Sequence, residues 1–207
     1  MAFIKKETAP AVPTNERTQP RDFAGLLDQL DHVDPAVRRW AARDLLDYPG
    51  ASAQLLRRLQ LEQQRSVREV ILTSLTRIGD EVAVAGLVDW LRSENVEMRN
   101  EAIAAMKELP DEVAPIMGAL LADPDSDVRI MAVNVLESLR HAHVEAWLID
   151  VISNDPEVNV CGTAVDLLGE VGTSGAQTAL EQLKQRFPSE PYIQFAADIA
   201  LKRIAKA

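Results

Sequence analysis

One frame of apolar offsets recurs six times along this 207-residue chain and leaves little freedom in what it can fold into. Counting from Val37, offsets +3, +4, +7, +8 and +11 fall on Trp40, Ala41, Asp44, Leu45 and Tyr48. The same offsets from Val67 give Val70, Ile71, Ser74, Leu75 and Ile78, and from Met98 they give Glu101, Ala102, Ala105, Met106 and Leu109. Val128, Val160 and Ile193 anchor three more copies, and the six anchors lie 30, 31, 30, 32 and 33 residues apart. These offsets share one face of a helix with about 3.6 residues per turn, so each anchor opens an amphipathic helix, here termed a B helix.

A second periodic segment precedes each B helix, as in Leu26-Leu27 with Leu30, Leu55-Leu56 with Leu59, and Leu148 with Val151-Ile152. These are the A helices. The turns from A to B read Asp34-Pro35, Asp123-Pro124-Asp125-Ser126, Asp155-Pro156 and Pro188-Ser189-Glu190-Pro191, where Asp or Ser can accept from free helix amides and Pro suits a first turn. Gly50, Gly79, Pro110, Gly172 and Gly175 break the chain between units. A two-helix unit of about 30 residues cannot bury both its faces alone, whereas stacked units share a continuous core. The expected fold is therefore all-α, a right-handed α-solenoid of about six two-helix repeats forming one domain over residues 21–207. Residues 1–20, with Pro10, Pro13 and Pro20 and almost no apolar periodicity, read as a flexible N-terminal arm.

Aromatic residues are only 4% of the chain against 47% hydrophobic, so the core must be aliphatic and alanine-rich, which suits close helix packing better than a β-sandwich. The formal charge of −10, from 22 Lys and Arg against 32 Asp and Glu, disfavours nucleic acid, which is gripped by clustered cations. Arg38, Arg39 and Arg43 form the nearest thing to a basic stripe. Lys5, Lys6, Arg17 and Arg21 against Glu7 and Glu16 leave the arm region at +2 and the remainder at −12. The single cysteine, Cys161, excludes an intrachain disulfide, and no apolar run reaches signal-peptide or membrane-span length, so a cytoplasmic protein is expected.

Val128-Arg129 with Met131-Ala132 and Val135-Leu136 behind an Asp-Pro-Asp turn, and the run from Ala164 to Gly172, resemble the short HEAT-like repeats named for phycobilisome lyases. The resemblance covers residues 22–205. It implies a solenoid, and it implies function only loosely, because such repeats serve bilin lyase subunits, regulatory scaffolds and assembly factors alike. Family members carry Arg just after the anchor, and Arg38, Arg68, Arg99 and Arg129 match. The resemblance implies a structural ladder, each Arg bonding a carboxylate or carbonyl of a neighbouring turn. Cys161 and Gln194 occupy the corresponding places in repeats five and six, so the ladder is expected to end after repeat four.

In such stacks the B helices line the concave surface, and offsets +2, +6 and +10 should face outward from them. The candidate protein-binding residues are Arg39, Trp40 and Arg43 at one end and Ile130, Asn134, Phe195 and Ile199 toward the other. Trp40 reads either as a lid on the terminal repeat or as an aromatic anchor. Ile130, Phe195 and Ile199 read either as partner contacts or as positions covered by the arm or by a twist of the last repeat. Gly162 shares their outward register. Glu101 is the only carboxylate at offset +3 and needs a partner: either Arg68 or Arg99 satisfies it, or it serves a site. Cys161 reads as a small buried hydrophobe in preference to a reactive thiol.

His141 and His143 are a poor metal pair without a third ligand, His32 is isolated, and no phosphate loop, nucleophile elbow or zinc motif occurs. No catalytic residue, metal or cofactor is expected. The primary expectation is a non-catalytic scaffold or adaptor holding another protein in its concave groove. The alternative, implied by the resemblance alone, is a lyase or chaperone that handles a bilin, another tetrapyrrole or a metal centre.

Overall fold

The computed structural model describes residues 19–206, so the expected arm, apart from Gln19 and Pro20, lies outside the described residues. Among those described the chain folds into α-helices and two short 3-10 turns, with no strand. In order they are α1 (Phe23–Leu30), α2 (Pro35–Asp44), α3 (Ala51–Leu61), α4 (Arg65–Ile78), α5 (Glu81–Leu91) and α6 (Val96–Lys107). There follow α7 (Pro110–Leu121), α8 (Ser126–Leu136), α9 (Val144–Asn154), α10 (Val158–Val171), α11 (Gln177–Arg186) and α12 (Pro191–Ile204). Odd helices are the A helices and even ones the B helices; each packs on its partner, and every helix but α1 packs on like helices of adjacent repeats.

Every anchor is the third residue of its B helix, because caps and prolines open the helix earlier than its apolar face begins. Asp34 accepts from the Ala36 amide at 2.8 Å, Asn95 from Glu97 at 2.8 Å and Asp125 from Asp127 at 2.9 Å, satisfying amides that lack an intrahelical acceptor. The far ends differ from the apolar pattern: Tyr48 and Leu109 stand beyond α2 and α6. Each precedes a proline, whose ring disfavours a helical conformation at the preceding residue. Gly79 closes α4 in the left-handed region, φ 59°, where a Cβ would be strained.

The offset +4 column, Ala41, Ile71, Ala102, Ala132, Ala164 and Ala197, is wholly buried in one core cluster that runs through all six repeats. Five alanines there let the helices approach closely. Offset +3 is half-buried in the first five repeats, which is why Trp40, Glu101 and Thr163 can share a column with Val70 and Met131. At roughly 25 cal/mol per Å2 of apolar surface, contacts between neighbouring repeats supply most of the stability, since no repeat encloses a core of its own.

Glycines let α10 and α12 approach closely. A Cβ at Gly162 would lie 3.1 Å from the Tyr192 ring, and one at Gly169 would lie 3.5 Å from Ala200 Cα. Gly162, expected to face outward, is in fact buried, because Tyr192 from the next repeat lies over it.

Candidate protein-binding site

The arginine ladder ties B helices to the turns that precede them. Its acceptors stand five residues before each anchor, at His32, Glu62, Ser93, Asp123 and Asp155. Each of these side chains accepts from the amide two residues on, at 3.0, 2.8, 3.1, 3.0 and 2.9 Å respectively. The arginine after the anchor then donates to the carbonyl of the same residue: Arg38 to His32 at 2.8 Å, Arg99 to Ser93 at 2.7 Å, Arg129 to Asp123 at 2.8 Å.

In Arg38 and Arg129 the remaining nitrogens cross to the following repeat. Arg38 donates to both Glu62 oxygens at 2.7 and 2.8 Å, and Arg129 to both Asp155 oxygens at 2.6 and 3.0 Å. Arg68 meets a repeat whose column residue is Ser93, and it bonds Glu101 instead at 2.6 Å, which answers the charge at offset +3. Asp123 receives its pair of bonds from Arg92, at 3.1 and 2.5 Å.

Charge states follow from these contacts. Burial alone would raise the Glu62 pKa, but bonds from Arg38, the Gln64 amide and Arg58 bring it down from 4.5 to about 2. The Arg92 guanidinium beside Asp123 likewise holds that carboxyl below its usual range. Bonding to Glu62 and to Asp155 raises the pKa of Arg38 and Arg129 respectively.

At repeat five the ladder changes supplier and does not stop. Cys161 is fully buried and offers only its sulfur, and the guanidinium comes from Arg186 at the end of α11. Arg186 donates to the carbonyls of Ile152 at 2.9 Å, Ser153 and Asp155, and lies 3.2 Å from Cys161 Sγ. Its other side stacks on Phe187 at 4.6 Å. In repeat six the Gln194 amide bonds the Lys184 and Phe187 carbonyls at 2.8 and 3.0 Å, a neutral group doing the arginine's task within its own repeat. Burial pushes the Cys161 thiol pKa up, against the pull of Arg186. The thiol should resist a water-soluble disulfide reagent in the folded protein and react at once in denaturant; rapid native labelling would show that the repeat five seam opens.

The residues expected on the binding face fall into two separate groups. Arg39, Trp40 and Arg43 sit on α2: Arg43 lies over the Trp40 ring at 5.6 Å, and Arg39 reaches Ser66 at the start of α4 at 3.3 Å. At the far end Asn134 and Glu137 face Thr163, Asp166 and Glu170 across the α8–α10 cleft. Ile130 is half-buried against the core. Phe195 and Ile199 share the next cleft, of about 270 Å3, between α10 and α12. Phe195 is 66% exposed and Tyr192 55%, while Ile199 is half-buried. The Tyr192 hydroxyl donates to Asp166, which fixes the ring along the cleft wall.

Sequence reasoning missed Tyr192 and Arg186. Tyr192 precedes the anchor, outside the offset frame, and Arg186 belongs to an A helix. The acceptor column was readable from the alignment of repeats, as five hydrogen-bond acceptors at one offset. His141 stacks on Trp147 at 5.1 Å and its Nδ1 accepts from the His143 amide at 3.2 Å, so the pair serves the turn into α9. No group of three or more His, Cys, Asp or Glu suited to a metal occurs among the described residues. None of their helices is long and apolar enough to cross a membrane.

Stacked antiparallel helix pairs, bonded unit to unit by buried arginine and carboxylate, define an α-solenoid of two-helix repeats. The model of HEAT repeats matches residues 23–107 and 113–202, and the chain belongs to that family. No curated protein matches it. Among solved structures it is similar to the complex of CpcE and CpcF of phycocyanin lyase from Nostoc sp. PCC7120, at 16% identity and a TM-score of 0.37 over 98% of this chain and 100% of that one. An archaeal HEAT-like repeats protein from Thermococcus onnurineus NA1 aligns at 16% identity and a TM-score of 0.46, covering 87% and 86% of the two chains. Human deoxyhypusine hydroxylase aligns at 17% and 0.45, covering 89% and 84%.

Proposed function

We propose that the chain is a non-catalytic adaptor that holds a segment of another protein against the concave, B-helix face of its solenoid, with the α10–α12 cleft as the principal contact. The observation that carries this reading is the exposed Phe195 ring beside Tyr192 and Ile199. A large aromatic side chain held at a cleft mouth by rigid helices offers a partner about 1.5–3 kcal/mol of apolar burial at little ordering cost. Asp166, Glu170 and Arg203 around it supply polar partners for the rim. Arg39, Trp40 and Arg43 at the opposite end provide a second, cationic contact for a segment long enough to span the face.

Affinity capture from an extract of the source cells tests the assignment. A protein retained by the wild-type chain should be lost on changing Phe195→Asp with Ile199→Asp, and weakened on changing Arg39→Glu with Arg43→Glu. Both variants should keep the wild-type helical circular dichroism, since Phe195, Arg39 and Arg43 lie outside the core. Equal capture by the Phe195→Asp, Ile199→Asp variant would remove the cleft from the binding face.

A further inference from the structure

The A-helix side of the stack is closed at one seam and open at the next. Between α3 and α5 the Leu56 side chain lies directly over Gly86, where a Cβ would meet its Cδ atoms at 2.4 Å. Between α5 and α7 there is a groove of about 710 Å3. Its α5 wall is Val84, Ala85 and Val88, and its α7 wall is Pro115, Ile116 and Ala119. Alanines and a proline face each other there, too short to meet across the seam, which is why the groove exists. Apolar ridges one helical turn apart on both walls form the kind of trough that receives the side chains of a third helix.

The two ends of the groove differ in charge. At the C-terminal ends of α5 and α7, Arg92 neutralises Asp123 through their paired bonds, and Asp89 beside them leaves one carboxylate against the two at the other end. At the N-terminal ends stand Glu81 and Glu112, neither carboxylate with a hydrogen bond or ion pair among the described residues. A helix lying antiparallel to α5 and α7 would bring its C-terminal turn to Glu81 and Glu112. Cations favour a helix C-terminus, and the antiparallel setting opposes the helix dipoles.

We propose that this groove docks an amphipathic helix of another protein, with apolar residues at i, i+3, i+4 and i+7 and Lys or Arg in its last turn. It is a second binding surface, on the side of the stack away from the Phe195 cleft, and it stands whether or not that cleft binds a partner. With both occupied, the chain bridges two proteins.

The probe is a fluorescein-labelled 14-residue helical peptide with leucines at that spacing, glutamines elsewhere and lysines in the last turn, titrated against the full chain by anisotropy. A sibling peptide with glutamates in the last turn is the control. The lysine peptide should bind at least tenfold more tightly than its sibling. Ala119→Arg, which places a long side chain in the groove from an exposed helix position, should weaken binding at least tenfold, and Glu81→Lys with Glu112→Lys should invert the preference between peptides. Phe195→Asp should leave it unchanged. Equal binding of the two peptides, or an Ala119→Arg variant that binds as well as wild type, overturns the proposal. So does a dimer in sedimentation that Ala119→Arg dissolves, which would assign the groove to a second copy. Tighter peptide binding after Lys5→Glu with Lys6→Glu would assign it to the chain's own first residues and overturn it equally.

Discussion

Replacing Glu62 with alanine is expected to lower the unfolding free energy by about 3–5 kcal/mol, the range for removing one partner of a buried ion pair. The Glu62 side chain is wholly enclosed, and it holds Arg38, itself 8% exposed in its side chain, together with Arg58. Without it the Arg38 charge stays buried against two carbonyls that cannot neutralise it. Equilibrium denaturation in urea measures the loss. A loss under about 1 kcal/mol would mean that water or a rearranged Arg58 takes the carboxylate's place. Changing Arg38→Met with Glu62→Leu should cost far less than Glu62→Ala, because a packed apolar pair carries no stranded charge.

The same residue makes stability depend on pH. Its folded pKa, about 2, lies below the ordinary 4.5, so the unfolded chain binds the proton more readily. The stabilisation is fully present above about pH 4.5 and is lost as the pH falls toward 2, a contribution of about 3 kcal/mol for a depression of that size. The Glu62→Ala variant should show a correspondingly flatter fall in stability between those limits.

Arg186→Ala is the second large effect, expected to cost about 1–3 kcal/mol by leaving the Ile152, Ser153 and Asp155 carbonyls short of donors. The informative experiment is the rescue. Adding Cys161→Arg to that variant puts a guanidinium back where Arg38, Arg99 and Arg129 carry theirs, and most of the lost stability should return. In the wild-type background Cys161→Arg should destabilise, because Arg186 already fills the site and two guanidinium groups would compete for it. Opposite signs for one substitution in two backgrounds would show that the seat accepts its cation from either side. The same sign in both would separate the two residues.

How much of this was legible in advance varies with how local the cause is. The six anchors, the pairing of A and B helices and the buried +4 alanines follow from periodicity, because a face repeated every 3.6 residues has one way to be buried in a stack. Arg38, Arg68, Arg99 and Arg129 stood out by position. Their particular acceptors did not, since a residue five places before an anchor lies in a turn, where no helical period points to it.

The proposed binding face was legible only by register, and register treats all repeats alike. It marked Phe195 and Ile199, and it also marked Gly162, which Tyr192 covers. What the sequence by itself determined is the repeat and its core, because those depend on contacts at fixed spacings along the chain. Only the tertiary structure decided which seams close and which stay open, and that Arg186 supplies what Cys161 lacks. Those outcomes depend on side chains about 25 to 35 residues apart meeting across a seam, where a single glycine, alanine or arginine on one side sets what the other can reach.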